Sequence, residues 1–316
     1  NSSTSSEYVQ VVNKANTSVS IESSLSPITF GGEVTFISSV SPSNASGTVG
    51  FYEGDELLGS GNLSNGEASI SLSTLTGGNH NVYAVYNGDD NYNGNESNSI
   101  SQEVNKANTI TSLEANTTTP TYGQSIIFDA SISGGTVART GVVRFYDENE
   151  NLLGTVNVDN NAVSKTISSL SVGEHVIYAE YGGDGNYNNS SSNVEITVSK
   201  LNTSITVESN NNQSKYEQTV VFTTTVSSNF ETPTGTVEFF DGESSLGQQT
   251  LDDGSASISV SNFSVGTHSI KAEYLGDANH NTSMSSALTQ TVNKANVSRS
   301  EEHTSELQSR FGISYA

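Results

Sequence analysis

The sequence of 316 residues has no cysteine and no tryptophan, and it carries only 11 basic side chains against 34 acidic ones. Without cysteine the chain has no disulfide, no zinc–thiolate or iron–sulfur site and no thiol nucleophile. The formal charge of -23 argues against a nucleic-acid binder, which needs a basic face to displace counterions from phosphate, and it also argues against docking on an anionic membrane. We therefore expect no nucleic-acid partner.

Long apolar runs and catalytic motifs are also missing. No segment approaches the roughly 20 consecutive apolar residues of a membrane-spanning helix, so we expect no membrane insertion within this chain. The sequence contains no HExxH motif, no GxSxG motif and no Walker loop. We predict that the chain is not an enzyme.

What the sequence does contain is one module copied head to tail. The string VNKANT ends at Thr17 and again at Thr109, and the related strings VSKLNT and VNKANV end at Thr203 and Val297. Between these strings other landmarks recur in the same order, such as GTVGFY, GVVRFY and GTVEFF. A period of about 94 residues is a usual domain size, which predicts a tandem array.

The landmarks define the predicted boundaries. Repeat 1 covers residues 14–105, repeat 2 covers residues 106–199 and repeat 3 covers residues 200–293. Residues 1–13 match the last strand of a preceding repeat and residues 294–298 open a following one, so we expect a fragment of a longer array. Residues 299–316 fit no repeat and resemble a translated sequencing adapter, which predicts an artefactual segment.

Alternation of apolar and polar residues predicts short strands in every repeat, since period two places each apolar set on one face. The predicted inward residues of the second, third and sixth strands are Val34, Phe36, Ser38, Val40, Val49, Phe51, His80, Val82, Ala84 and Tyr86 in repeat 1; Ile126, Phe128, Ala130, Ile132, Val143, Phe145, His175, Ile177, Ala179 and Tyr181 in repeat 2; and Val220, Phe222, Thr224, Val226, Val237, Phe239, His268, Ile270, Ala272 and Tyr274 in repeat 3. No stretch has a sustained helical period. About seven short antiparallel strands per repeat indicate an all-β fold of tandem immunoglobulin-like sandwiches.

The order FGGEVTF, GTVGFY…LLG and GNHNVYAVYNGDDNY resembles bacterial Ig-like domain repeats of the group 3 type. The resemblance covers residues 14–298 and implies a prokaryotic surface or adhesin-like protein. The antibody disulfide and its tryptophan are absent, as is usual for this bacterial group. Phe51, Phe145 and Phe239 are expected at the central aromatic position of the core.

Three related loop motifs, GDDNYN, GDGNYN and GDANHN, suggest calcium ligands because oxygen-bearing side chains stand at every second position. The candidate ligands are Asp89, Asn91, Asn93, Asp184, Asn186, Asn188, Asp277, Asn279 and Asn281. No copy completes a calcium loop: the twelfth position is Ile100 or Leu288, and Glu195 of repeat 2 is expected inside the last strand. The alternative is a turn in which Asp and Asn accept local backbone hydrogen bonds. No other cofactor is predicted.

One histidine begins the sixth strand of each repeat, at His80, His175 and His268. A single histidine per repeat cannot form a multi-histidine metal site, so we predict a packed, hydrogen-bonded corner residue. Tyr92 and Tyr187, with His280 as the third equivalent, are expected at loop tips. Rings there could stack on sugars or on a neighbouring repeat, and the closeness of these loops to the linker favours packing at the junction.

The linker has no glycine or proline run, which favours an extended, semi-rigid array of repeats. We therefore predict a non-catalytic stalk of a cell-surface or secreted adhesin-like protein, with an extracellular or cell-surface location. One alternative is that the repeats themselves bind an unknown carbohydrate or protein ligand. Another is that they are spacer domains of a large secreted hydrolase.

Overall fold

A computed structural model describes residues 2–296, and this part of the chain is built from 25 β-strands without a helix. The chain divides into two compact units. Within the described residues the first unit contains residues 2–120 and 124–198, and the second contains residues 121–123 and 199–296. The adapter-like segment predicted at 299–316 lies outside the described residues. In residues 2–296 no helix has the length and hydrophobicity of a membrane-spanning segment.

Repeat 1 folds into two sheets. Its strands are β1 (Ser18–Ser23), β2 (Ile28–Thr29), β3 (Val34–Ser41), β4 (Thr48–Glu53), β5 (Glu56–Asn62), β6 (Glu67–Leu72), β7 (Gly78–Gly88), β8 (Asn93–Glu96) and β9 (Ile100–Asn105). One sheet has the order β1-β3-β6, and the other has the order β2-β9-β7-β4-β5 with β8 paired to β7. All pairs are antiparallel except β2 with β9, which is parallel.

Repeats 2 and 3 use the same arrangement. Repeat 2 contains β10 (Ile110–Ala115), β11 (Ile126–Ser133), β12 (Val142–Tyr146), β13 (Leu152–Asn157), β14 (Ala162–Ile167), β15 (Gly173–Tyr181) and β16 (Ser190–Val198), in sheets β10-β11-β14 and β13-β12-β15-β16. Repeat 3 contains β17 (Ser204–Ser209), β18 (Gln213–Lys215), β19 (Val220–Ser227), β20 (Thr236–Asp241), β21 (Ser244–Thr250), β22 (Ser255–Val260), β23 (Gly266–Tyr274), β24 (Ser283–Met284) and β25 (Leu288–Asn293). Its sheets are β17-β19-β22 and β18-β25-β23-β20-β21, with β24 paired to β23.

The number of strands differs between repeats for a simple reason. Repeat 2 has the seven strands that the sequence predicts. Repeats 1 and 3 each have nine, because a short edge strand is added (β2 or β18) and because the last strand, continuous as β16 in repeat 2, is split in two (β8 and β9, or β24 and β25). The fold class is confirmed: every repeat is a sandwich of two mainly antiparallel sheets with buried apolar side chains between them.

The cores follow the predicted alternation. Phe36, Phe51 and Tyr86 are fully buried in repeat 1, and their equivalents in the other repeats are fully buried too. Each buried aromatic side chain contributes about 1.5–3 kcal/mol, so a small core holds together without a disulfide. Of the 30 residues predicted to face inward, only His175 and His268 stay partly exposed, at the rim of the sandwich.

Tight two-residue turns link the two sheets. In repeat 1, Asn65 and Gly66 both have positive φ (54° and 81°), as a type I′ hairpin turn requires. A Cβ atom at Gly66 would lie 2.8 Å from the carbonyl oxygen of Val40, so glycine is needed there for space as well as for backbone geometry. Repeats 2 and 3 use Asn160–Asn161 and Asp253–Gly254 at the same place, again with positive φ.

A buried polar pair joins the first and last strands in two of the three repeats. The Ser23 hydroxyl donates to Gln102 Oε1 at 2.5 Å, and the Ser209 hydroxyl donates to Gln290 Oε1 at 2.7 Å. Both glutamines are fully buried. In repeat 2 the two positions hold Ala115 and Ile196, so both partners are replaced together by apolar side chains.

Ser38 is a polar residue among the inward-facing apolar residues of β3. Its buried hydroxyl has no hydrogen-bond partner among the described residues, whereas the equivalent Thr224 donates to the Thr206 carbonyl at 2.6 Å. We expect Ser38→Ala to stabilise repeat 1 by about 1 kcal/mol, because an unsatisfied buried hydroxyl is removed. Thr224→Ala, the matched control, should destabilise repeat 3 by about 1 kcal/mol or more. Urea unfolding followed by NMR resonances of each repeat measures both; a loss of stability in Ser38→Ala would contradict this account.

Candidate functional site

The best-defined polar site in each repeat lies between its linker and the loop that follows β7, β15 or β23. We call this site the linker clamp. It consists of residues 14–17 with residues 89–93 in repeat 1, residues 106–109 with residues 184–188 in repeat 2, and residues 200–203 with residues 277–281 in repeat 3. All nine residues predicted as calcium ligands lie in these loops.

An aspartate organises each clamp. In repeat 1, Asp89 Oδ1 accepts the backbone N–H groups of Asn91 and Tyr92, each at 2.8 Å. Asp89 Oδ2 accepts the backbone N–H and the hydroxyl of Ser46, each at 2.9 Å. The carboxylate therefore closes its own turn with one oxygen and anchors a second loop with the other.

The same four contacts recur in the other repeats. Asp184 accepts from Asn186, Tyr187 and Thr140, and Asp277 accepts from Asn279, His280 and Thr234, all at 2.8–3.0 Å. In repeat 3 the imidazole of His280 adds a contact from Nδ1 to Asp277 Oδ1 at 2.9 Å.

The turned loop then holds the linker. In repeat 1 the ammonium of Lys14 donates to the Asp89 carbonyl at 2.6 Å, and Ala15 exchanges backbone hydrogen bonds with Asn91 and Asn93, each at 2.8 Å. The amide of Asn93 donates to Asn16 Oδ1 at 3.0 Å, and the hydroxyl of Thr17 donates to the Asn93 carbonyl at 2.9 Å. Every residue of the KANT string thus contacts the loop of its own repeat.

Repeats 2 and 3 reproduce these contacts. Lys106 and Lys200 donate to the carbonyls of Asp184 and Asp277 at 2.6 and 2.5 Å. The amides of Asn188 and Asn281 donate to Asn108 and Asn202 at 2.8 and 3.0 Å. The first and fifth positions of the DxNxN motif therefore bind the linker of the same repeat, and the recurring KANT and DxNxN strings form one hydrogen-bonded structure.

The hydrogen bonds favour the ionised form of the aspartates. Donation by the backbone N–H of Ser46 is the main reason why the pKa of Asp89 lies far below its usual range, with the Asn91 and Tyr92 N–H groups adding to the shift. Burial acts to raise the pKa of Asp184, but donation from Thr140 and Asn186 outweighs it and the pKa is lowered. Asp277 shows the same balance, so its pKa is lowered as well.

These contacts bear on the calcium hypothesis. Both oxygens of each aspartate already accept hydrogen bonds from the protein, so a calcium ion would compete with four donors. Glu195 lies in β16, opposite Val176 and away from the loop, as the sequence predicts. The geometry matches the alternative, a turn closed by Asp and Asn, while calcium binding stays a prediction that needs its own test.

Each corner histidine bridges two segments of its own repeat. His80 Nδ1 lies 2.9 Å from a carboxylate oxygen of Glu53, and its Nε2 lies 2.8 Å from the carbonyl oxygen of Thr76. His175 contacts Glu148 and the Ser171 carbonyl, and His268 contacts Asp241 and the Ser264 carbonyl, in the same way. The predicted role as hydrogen-bonded corner residues is confirmed for all three.

The loop of repeat 2 also contacts repeat 1 within the first unit. The amide oxygen of Asn186 accepts the Gly77 N–H at 2.8 Å, and the ring of Tyr187 packs edge-on against Phe30 with centroids 5.4 Å apart. Arg139 lies over the Tyr187 ring at 5.1 Å. We call the contacts of Asn186 and Tyr187 with repeat 1 the joint. A Cβ atom at Gly77 would come within 2.5 Å of the Gly185 carbonyl oxygen, so this close approach requires glycine.

The tips of these loops are less exposed than the sequence suggests. Tyr187 and His280 are each only 1% exposed, and Tyr92 packs against the core of repeat 1. Junction packing, the favoured alternative, is observed for Tyr187. The joint itself was not predicted, because nothing in the local sequence shows that Gly77 and Asn186 come together.

A shallow groove on repeat 2 is a second surface feature. Its volume is about 670 Å³, and its lining combines the rings of Tyr146 and Tyr178 with acidic and hydroxyl-bearing side chains. Asp147, which lines it, is held by Asn149 and Asn151 through a turn of its own. The side-chain amide of Asn151 is the largest cause of a lowered Asp147 pKa.

The recurring sandwiches match a known family. The model of the bacterial Ig-like domain (group 3) matches residues 21–105, 113–199 and 206–293. The chain belongs to this family. Its three group 3 matches cover most of the chain, and no curated protein matches it.

Solved structures with similar folds include other tandem modules. The fibronectin(III)-like modules of CbhA from Clostridium thermocellum are 20% identical, covering 58% of this chain and 94% of that chain with a TM-score of 0.28. The Escherichia coli adhesin FdeC is 13% identical, covering 87% and 96% with a TM-score of 0.28. A Ca²⁺-stabilized adhesin with which an Antarctic bacterium binds ice is 14% identical, covering 90% and 75% with a TM-score of 0.31. Because these TM-scores are low, nothing about the function of this chain is inferred from these structures.

The clamp should make stability depend on acid pH. An aspartate whose pKa is lower in the folded state than in the unfolded chain stabilises the fold at pH values above its ordinary pKa of about 4. This stabilisation is lost as the pH falls through the lowered pKa of the folded state. We expect Asp184→Asn to weaken repeat 2 by about 2 kcal/mol at neutral pH, since hydrogen bonds to a charged acceptor are lost. The variant should also show a smaller loss of stability between about pH 5 and about pH 2 than the parent.

Urea unfolding at several pH values, followed by resonances of repeat 2, measures this effect. The control is Asp129→Asn, which changes an exposed aspartate of β11 outside the clamp. An equal acid response in the parent and in Asp184→Asn would show that the clamp aspartate does not carry it.

The calcium hypothesis makes a separate prediction. If calcium binds the loops, the melting temperature should rise with millimolar calcium in the parent, and the rise linked to repeat 2 should vanish in Asp184→Ala. Magnesium at equal concentration is the matched control for ionic strength. An unchanged melting temperature would rule out a stabilising site.

Proposed function

We propose that the chain is a non-catalytic spacer in the stalk of a cell-surface or secreted adhesin-like protein. The linker clamp is the observation that carries the proposal. A linker that hydrogen-bonds its own repeat at each position cannot act as a flexible tether, because its backbone and side-chain groups are already paired. The chain therefore enters each sandwich along a fixed path.

The use of the reactive side chains supports a non-catalytic role. The clamp aspartates accept hydrogen bonds from their own loops, and the corner histidines bridge a carboxylate and a carbonyl. His280 has Asp277 on one ring nitrogen and Ser228 at 3.3 Å on the other, which superficially suggests a nucleophilic triad. However, the same nitrogen faces the Glu231 carbonyl, and the Ser228 hydroxyl donates to that carbonyl at 2.9 Å. The serine proton is therefore directed away from the base.

An extracellular or cell-surface location is part of the proposal. Membership of a bacterial Ig-like family supports it. The strongly acidic charge keeps such repeats soluble and discourages edge-to-edge association.

Single-molecule stretching of the full chain tests the spacer function. We expect three unfolding events, each of which lengthens the stretched chain by roughly 280 Å. This length is that of about 94 extended residues at about 3.4 Å per residue, minus the length of the folded repeat. Asp184→Ala should lower the force of one event because the clamp of repeat 2 is lost, whereas Asp129→Ala should leave all three unchanged. Equal forces in both variants would show that the clamp bears no load.

A second candidate function is ligand binding by the repeats, which the groove with Tyr146 and Tyr178 favours. Two partly exposed rings on a sheet face are a suitable surface for stacking on a sugar. A glycan array probed with the full chain separates the two functions. Saturable binding that is lost in Tyr178→Ala would support this candidate and argue against a pure spacer.

A further inference from the structure

A single line of hydrogen bonds connects a titratable side chain of repeat 1 to repeat 2. The Glu53 carboxylate contacts His80 Nδ1 at 2.9 Å, and His80 Nε2 contacts the carbonyl oxygen of Thr76 at 2.8 Å. That carbonyl belongs to the peptide group whose N–H, on Gly77, donates to Asn186 Oδ1 at 2.8 Å. One peptide unit thus lies between the imidazole and the neighbouring repeat.

Both ring nitrogens of His80 face groups that only accept hydrogen bonds. A neutral imidazole has one N–H, so it can satisfy the carboxylate or the carbonyl but not both. The doubly protonated ring donates to both at once. When the ring loses a proton, the remaining N–H stays with the stronger acceptor, Glu53, and the Nε2 lone pair then faces the oxygen of Thr76.

We propose that protonation of His80 tightens the joint between repeats 1 and 2, and that its deprotonation loosens the joint. The charged ring fixes the peptide between Thr76 and Gly77 and polarises it, which strengthens the N–H that binds Asn186. The inference rests on the proposed spacer function, because it gives the spacer a stiffness that depends on pH.

The surroundings of His80 agree with this assignment. The charged group that faces the ring from β4 is Glu53, and the cross-strand neighbour on β9 is Gln102, which is neutral. Asp184 accepts the backbone N–H of Asn186 and stays ionised at neutral pH. Burial acts to lower the pKa of His80, but the hydrogen bonds to Glu53 and Thr76 raise it above its ordinary value. The tightening is therefore complete below the ordinary pKa of about 6.5 and is lost as pH rises through the raised value.

Amide hydrogen exchange of Gly77 in the full chain tests the proposal. After correction for intrinsic exchange, we expect the protection of this amide to fall about tenfold between about pH 6 and about pH 8.5. In His80→Gln the protection should be low and independent of pH in this range. The matched control is His175→Gln, which removes the equivalent histidine of repeat 2 and should leave the Gly77 response unchanged.

A measurement on the parent chain makes the test independent of how the variants fold. The pH midpoint of Gly77 protection should coincide with the NMR titration midpoint of the His80 ring. Spin labels on cysteines introduced at the exposed positions Ser60 and Ser164 should also show a distance distribution that broadens over the same range. A Gly77 response that persists in His80→Gln, a mismatch of the two midpoints, or no response would overturn the proposal. Sugar binding by the repeats would contradict the spacer function but not the pH response of the joint.

Discussion

Four hydrogen bonds to one aspartate determine how each repeat receives its linker. In repeat 1 the carboxylate of Asp89 closes the loop after β7 and attaches it to Ser46, and only this closed loop presents the carbonyls that bind Lys14 and Ala15. The sandwich cores exist without the clamp, because they depend on buried apolar side chains. The direction in which the chain enters a sandwich depends on the clamp, because the linker is hydrogen-bonded to the closed loop.

The sequence predicts the fold better than it predicts the site. The alternation in β3, β4 and β7 is enough to place Phe36, Phe51 and Tyr86 in the core, since period two leaves only one way to bury them. The sequence repeats the DxNxN loops in every module, but it does not identify their hydrogen-bond partners. A calcium site and a hydrogen-bonded turn both need oxygen atoms at alternate positions. The residues whose hydrogen bonds favour the turn, such as Ser46 and Lys14, are distant in sequence from the loop.

Chain topology explains why the joint escapes prediction while the corner histidines do not. His80 contacts Thr76 only four residues away, and this spacing recurs in every repeat. Gly77 and Asn186 are 109 residues apart and meet only because two folded sandwiches are in contact. Contacts between repeats depend on the surfaces of the folded repeats. Local sequence patterns do not indicate these surfaces, so the contacts are identified only from the structure.

The exchange of the polar pair Ser23–Gln102 for Ala115 and Ile196 has a consequence for assembly of the array. Adjacent domains with similar sequences can misfold by trading strands. A hybrid sandwich that combined β1 with β16 would place the hydroxyl of Ser23 beside Ile196 without its acceptor, and the reciprocal hybrid would bury the amide of Gln102 beside Ala115. An unsatisfied buried amide or hydroxyl is costly. Neighbouring repeats therefore have the same fold but different residue pairs between their first and last strands. This difference favours pairing of each first strand with the last strand of its own repeat.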